Sequence, residues 1–255
     1  MDELTDYLQD TAATPTIQNA MALAVEAMAI GPGNRVLDVG CGTGVFLPKL
    51  AEAVGARGSI VALDHVVGFL TEARELMASG HIGTPVQYVE GDALRLPFPD
   101  ATFDGCHTER VLIHLSDPNQ CLREMRRVVR PGGWVVCVEP DLDGMRIDHP
   151  DPAIARVVVA GFTETVRHPA MGLQLNRRMA EAGLVGRRVW TLTEVERELA
   201  DDTGPFLRAG AMRLANEGRA EPEAVSRGFD WLERQSAQGR YTSYTSMFVV
   251  AGRVP

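Results

Sequence analysis

Apolar positions recur along this chain with two alternating periods, and the alternation predicts its architecture. Ile17, Ala20, Met21, Ala24, Val25 and Met28 fall on one face of a helix, which Gly31-Pro32-Gly33 ends. A short β-rich run from Arg35 to Val39 then meets a glycine cluster and a second helical pattern around Phe46, Leu47, Leu50 and Ala53. The order repeats, with strands at 59–63, 86–89, 103–106 and 134–138 and helices near 66–79 and 117–129. Such units predict an α/β fold: a doubly wound, mostly parallel sheet with helices on both faces.

After Glu139 the pattern changes. Residues 141–152, rich in aspartate and proline, read as an irregular loop, and 153–167 and 171–182 read as helices. Arg188 to Leu192 is a strand by composition, 194–240 is helical and charged, and Tyr241 to Ala251 is the last strand. Without an internal repeat or a long linker, the chain reads as one domain. Its expected parts are a helical lid at 1–30, a core at 34–140, and helical cap insertions at 141–170 and 194–240.

Composition narrows the partners. Hydrophobic residues make up 45% and charged residues 23% of the 255 positions, ordinary values for a globular chain. With Lys+Arg 25 against Asp+Glu 34 the net charge is −9, the opposite of a nucleic-acid footprint. The arginines 123, 126, 127 and 130, and 177, 178, 187 and 188, then read as solvated helix faces and helix ends. No apolar run is long enough to span a membrane, and the acidic start MDELTDYLQD is unlike a signal peptide, so a cytoplasmic protein is expected. Cys41, Cys106, Cys121 and Cys137 form no CxxC pair and are expected as buried packing residues.

The candidate chemistry begins at Asp38-Val39-Gly40-Cys41-Gly42-Thr43-Gly44. Glycines let the backbone turn sharply and approach a ligand, and the helix that follows offers unpaired amides. A dinucleotide fingerprint would need glycine where Val45 stands, which weakens a nicotinamide or flavin reading. Asp38, before the turn, repels a pyrophosphate and suits a cationic amino group. Asp64 closes the second strand, where a carboxylate is placed to accept ribose hydroxyls, and Asp92 follows the third, where it is placed to accept from an exocyclic amine.

The segments VLDVGCGTG, IVALDH, VEGDALRLPFPDATFD and RVVRPGGWVVCVEPD resemble the motifs of class I S-adenosylmethionine-dependent methyltransferases over about residues 34–140. The resemblance is to the small-molecule branch that contains ubiquinone and menaquinone C-methyltransferases and natural-product tailoring enzymes. It implies a Rossmann-like sheet of seven strands with the last antiparallel, and S-adenosylmethionine across the carboxyl ends of the first strands. On that reading Gly40, Gly42 and Gly44 face the methionine and ribose, Asp64 binds the ribose, and Asp92 with Ala93 holds the adenine. Asp38 orients the turn or reaches the amino group through water, and Cys41, His65 and Thr108 complete the cofactor set.

Methyl transfer from a sulfonium is an in-line displacement that needs alignment and sometimes a base. His107 or Glu109, after the fourth strand, is placed to remove a proton, and Arg110 to fix a substrate carboxylate or pair with Glu109. The bland reading is that Glu109 and Arg110 lock the strand end. His149 and His168 are further candidate bases or substrate contacts, His114 reads as a core histidine, and Tyr7, Phe46, Phe162 and Trp231 as an aromatic pocket or core. Asp141, Asp143, Asp148 and Asp151 match no compact metal spacing, so no metal is expected. The acceptor is a small metabolite methylated on oxygen, nitrogen or carbon. The alternatives are a cyclisation or rearrangement on the same cofactor-binding fold, and a cofactor-responsive binding protein without turnover.

Overall fold

Thr14 and Pro15 open the first helix: the threonine hydroxyl accepts the Ile17 amide at 3.4 Å, and the proline takes the first turn, where its missing N–H costs nothing. In the computed structural model, which describes residues 11–80, 83–200 and 203–255, this α1 runs Pro15–Met28 and buries its apolar stripe against the sheet. The core then follows the predicted alternation: β1 (Arg35–Val39), α2 (Leu47–Val54), β2 (Ser59–Asp64), α3 (Val67–Ser79), β3 (Val86–Glu90), β4 (Phe103–Glu109), α4 (Pro118–Val128) and β5 (Val129–Ile147). After it come α5 (Pro152–Thr163), α6 (Met171–Glu181), β6 (Val185–Glu196), α7 (Thr203–Asn216), α8 (Pro222–Ala237) and β7 (Ser243–Arg253). Asp-Pro pairs start two of these helices, with Asp117 accepting the Gln120 amide and Asp151 the Ala153 amide.

The described strands form a seven-stranded sheet in the order β3-β2-β1-β4-β5-β7-β6. β1 to β5 run parallel, and β7 lies antiparallel between β5 and β6. One face is covered by α1, α2 and α3 and the other by α4 and α6. A third apolar cluster joins the far end of β5 to α5, α7 and α8.

Three expectations change. Residues 141–147, expected as loop, continue β5: Asp141, Arg146 and Ile147 pair with Ser246, Tyr244 and Ser243 of β7 across a register shift. The ladder comes from a strand a hundred residues away, and the extra residues of the bulge absorb Asp143 and Gly144. The strand expected at 188–192 extends to Val185–Glu196. Within the expected N-terminal lid, Pro15–Met28 is packed into the sheet, with only Met21 reaching the site below; residues 1–10 lie outside the described residues. No helix among the described residues is long and apolar enough to cross a membrane.

Candidate active site

The carboxyl ends of the parallel strands open onto a cleft of about 660 Å³, a size suited to a small organic ligand. In sheet order its wall runs from Gly91–Leu94 after β3, through Leu63–His65 and Gly40–Thr43, to Glu109–Val111 and His114–Ser116 after β4. Met21, Phe46, Phe69 and Arg167 close it.

The glycine turn is held by β2. Leu63 O accepts the amides of Gly40 and Cys41 at 2.7 and 3.0 Å, and Asp64 takes Gly42 N on Oδ2 and Val66 N on Oδ1, both at 2.9 Å. Gly40 and Gly44 have φ of +71° and +83°, and both are crowded: a Cβ would lie 2.4 Å from Val111 Cγ2 and 2.7 Å from Ala73 Cβ, respectively. Gly42 alone of the three faces open space. Of the three glycines expected to face a ligand, Gly40 and Gly42 line the cleft, and Gly44, packed on Ala73 and Leu47, does not. Asp64 is buried in the cleft wall and holds the glycine turn through Oδ2 and the start of the next loop through Oδ1, and each carboxylate oxygen keeps a further lone pair.

The rest of the expected cofactor set divides. Asp92 is exposed at the end of the cleft with Oδ1 on the Leu94 amide, and Ala93 beside it is buried. The Cys41 thiol donates to Gly42 O, and burial, reinforced by Asp38 and Asp64, raises its pKa and keeps it neutral. His65 is 85% exposed in its side chain, 3.4 Å from Asp64. Thr108 is not in the wall, because its hydroxyl points back to Val39 O at 2.9 Å and joins β4 to β1.

Asp38 and His107 are register partners on adjacent strands, and Asp38 Oδ1 lies 2.8 Å from His107 Nδ1 in a pair whose side chains are 4% and 1% exposed. A carboxylate here only accepts, so Nδ1 holds the hydrogen and, in the neutral ring, Nε2 is a bare acceptor. Nε2 has no partner among the described residues, and the Phe46 ring lies 4.1 Å away, centroid to centroid. Two residues along β4, Glu109 is 8% exposed in its side chain and neither of its oxygens makes a hydrogen bond. Arg110 Nε approaches Oε1 at 3.3 Å as an ion pair without hydrogen-bond geometry. Burial raises the Glu109 pKa against the opposing pull of Arg110 and His107.

Glu139 was not a predicted site residue, although it is the charged residue that closes the apolar run Trp134–Val138. It is fully buried behind the cleft wall, and Oε1 accepts the amides of Val111 and Leu112 at 2.9 and 2.7 Å. It thereby fixes the turn in which Arg110 adopts φ +54°. Burial pushes its pKa up to about 8 against those amide bonds.

Other candidates are placed elsewhere. His149 belongs to the cap, with Nδ1 taking the Asp151 amide and its ring edge-on to Trp231 at 5.0 Å. Phe162 and Trp231 pack into the third cluster, Phe46 lines the cleft, and Tyr7 lies outside the described residues. His168 bridges chain segments, its amide donating to Ile113 O and its Nε2 lying 2.9 Å from Leu115 O. His114, expected in the core, is exposed at the cleft, its pKa lowered by partial burial and by Arg110. Arg127, expected as a solvated face, gathers Leu96 O, Phe98 O, Asp100 and Glu124 and ties down the segment after β3. Among the described residues no group of three His, Cys, Asp or Glu is placed to hold a metal ion.

The strand order and this cleft define a doubly wound α/β fold with an open cleft at the carboxyl edge, where such sheets bind nucleosides. Residues 37–137 match the family described as methyltransferase domain. An uncharacterized 37.1 kDa protein in transposon TN4556 of Streptomyces fradiae is 34% identical over 98% of this chain and 71% of its own length. The demethylmenaquinone methyltransferase of Lysinibacillus sphaericus is 41% identical over 44% of this chain, so the match spans about half (47%) of that relative. A solved SAM-dependent methyltransferase structure from Aquifex aeolicus superposes over 96% of both chains with TM-score 0.57 at 19% identity, a likeness of fold. The chain belongs to the class I S-adenosylmethionine-dependent methyltransferases. Family membership implies S-adenosylmethionine as the methyl donor.

Proposed function

We propose that this protein transfers the methyl group of S-adenosylmethionine to a small organic acceptor, with the cofactor across the ends of β1 to β3 and the acceptor over the end of β4. The observation that carries the reading is the open face of Gly42, clamped from behind by Asp64 in a cleft that also contains Glu109, a carboxylate without a hydrogen bond. The residues present fit the cofactor: Asp64 has lone pairs for ribose hydroxyls, Asp92 and Ala93 line the cleft with Phe69 where an adenine would lie, and the acidic wall suits a cation. When bound, the cofactor supplies an electrophilic methyl group on a sulfonium.

This chain's own groups then orient and deprotonate. Asp38 holds the His107 ring, Glu139 holds the turn carrying Arg110, and Glu109 receives the acceptor's proton. A carboxylate whose pKa burial has raised is a stronger base than an exposed one, and neither Glu109 oxygen spends a hydrogen bond within the protein. The quinone acceptor named for one relative belongs to a protein matched over about half its length, whereas the relative matched along almost the whole chain has no stated activity. The acceptor is accordingly given as a small molecule with a protic nucleophile, in quinone or natural-product metabolism. A cyclisation on the same fold is not favoured, since the relative above whose name states an activity is a methyltransferase.

Calorimetric titration with S-adenosylmethionine and S-adenosylhomocysteine tests the cofactor. Micromolar binding of both is expected, and absence of both overturns the reading. A product heavier than the acceptor by one methylene unit then separates methyl transfer from rearrangement, which leaves the mass unchanged.

A further inference from the structure

The cleft divides by charge along the sheet. Asp92, Asp64 and Asp38 stand on β3, β2 and β1 or directly after them, whereas both guanidiniums of the wall, Arg110 and Arg167, stand on the β4 side. Arg110 is built in: its backbone is left-handed, its amide donates to Val138 O at 2.9 Å, and its side chain is 16% exposed. Arg167 comes from the segment between α5 and α6. Its neighbour His168 docks that segment on the loop after β4 through Ile113 O and Leu115 O. Arg167 is exposed, and among the described residues no carboxylate pairs with it.

We propose that the acceptor is a small organic acid whose carboxylate is gripped by Arg167 together with Arg110, while its nucleophilic O–H or N–H faces Glu109. This rests on the methyl-transfer reading above. A guanidinium presents a planar fork of donors that matches a carboxylate, and two such groups fix both the position and the direction of the molecule between them. Charge counting selects the monoanion. Arg110 shares its charge with Glu109, so the two guanidiniums and one carboxylate leave one net positive charge, enough for a carboxylate and short of a phosphate dianion. The anchor lies across the cleft from Asp64 and Asp92, which separates acceptor recognition from cofactor recognition and holds the nucleophile in line.

The test uses a rigid probe with the two groups at opposite ends. Full-length protein saturated with S-adenosylhomocysteine is titrated with 4-hydroxybenzoate and with its neutral methyl ester. The acid is expected to bind at least about tenfold more tightly than the ester, as suits a charge-assisted bidentate contact. Arg167→Gln is expected to remove that preference while its affinity for S-adenosylhomocysteine stays within about twofold, since one contact is lost and the cofactor end is untouched. Equal binding of acid and ester, binding of neither, or a preference that survives Arg167→Gln overturns the proposal. Failure of the underlying reading is visible separately, as absence of S-adenosylhomocysteine binding by the unaltered protein, and the inference falls with it.

Discussion

At the cleft rim the side chains buried along β1, β4 and β5 include Asp38, His107 and Glu139, whereas the cluster beneath α5, α7 and α8 is built almost wholly of aliphatic and aromatic residues from Met145 to Tyr241. Buried polar groups are costly without partners. The rim nevertheless leaves His107 Nε2, both Glu109 oxygens and Glu139 Oε2 without a hydrogen bond among the described residues, while the cap leaves His149 Nε2 and Tyr241 Oη. His107 and Glu109, which carry three of these atoms, line the cleft, whereas the two residues of the cap do not. The family match ends at residue 137, just before the segments that build the third apolar cluster, and among the described residues Arg167 alone reaches the cleft from beyond it.

The strongest way to break this contrast is in the cap. α5 and α7 cross backbone to backbone, where a Cβ on Gly161 would lie 2.3 Å from Ala211 N and one on Gly210 would lie 2.2 Å from Gly161 O. Gly161→Val is expected to cost at least about 3 kcal/mol in urea unfolding, because neither backbone yields easily. A loss below about 1 kcal/mol would show that the helices separate freely.

At the rim, function should respond before stability. Glu109→Gln is expected to lower kcat about 100-fold with a much smaller change in KM, the pattern of a lost base. Unchanged kcat with an identified acceptor would return Glu109 to the role of locking the strand end. Asp64→Ala should weaken S-adenosylmethionine binding by about 1.5–3 kcal/mol, since it removes the ribose acceptor and releases the Gly42 and Val66 amides. An unaltered dissociation constant in the folded variant would rule out the ribose role.

Glu139 gives the smallest and most specific effect. Its pKa is raised from 4.5 to about 8, so the native state holds a proton that the unfolded chain has released. Stability from this group is full below the unfolded value and is lost as pH rises through about 8. Glu139→Gln keeps the Oε1 acceptor and removes the titration. Its stability relative to the unaltered protein should therefore improve between pH 6 and 9 by on the order of 1 kcal/mol. Parallel pH dependences of the two proteins would refute this.

Much of the core was legible because its signals are local. Helix starts follow the Asp-Pro pairs, and Gly40–Gly44 announces a turn because side chains there would meet Val111 or Ala73 or strain a positive φ. Residues 141–147 misread as loop because aspartate and glycine disfavour strands locally, while β7 provides hydrogen bonds that override that preference. His149 looked chemical in a segment of aspartates and prolines, yet it packs on Trp231, engages Asp151 through Nδ1 and does not line the cleft. Arg167 offered no signal at all, since its place depends on how the neighbouring His168 docks.

The sequence by itself determined the alternation of strands and helices, the glycine turn and the acidic residues at successive strand ends, because periodicity and turn chemistry act over a few residues. Tertiary structure alone decided that Asp38 meets His107, 69 positions away, and that Glu139 holds the turn beyond Arg110. It also decided that Arg167 faces the same cleft as Arg110. Each of these depends on the register of parallel strands or the docking of a distant segment, and no local pattern of residues encodes either.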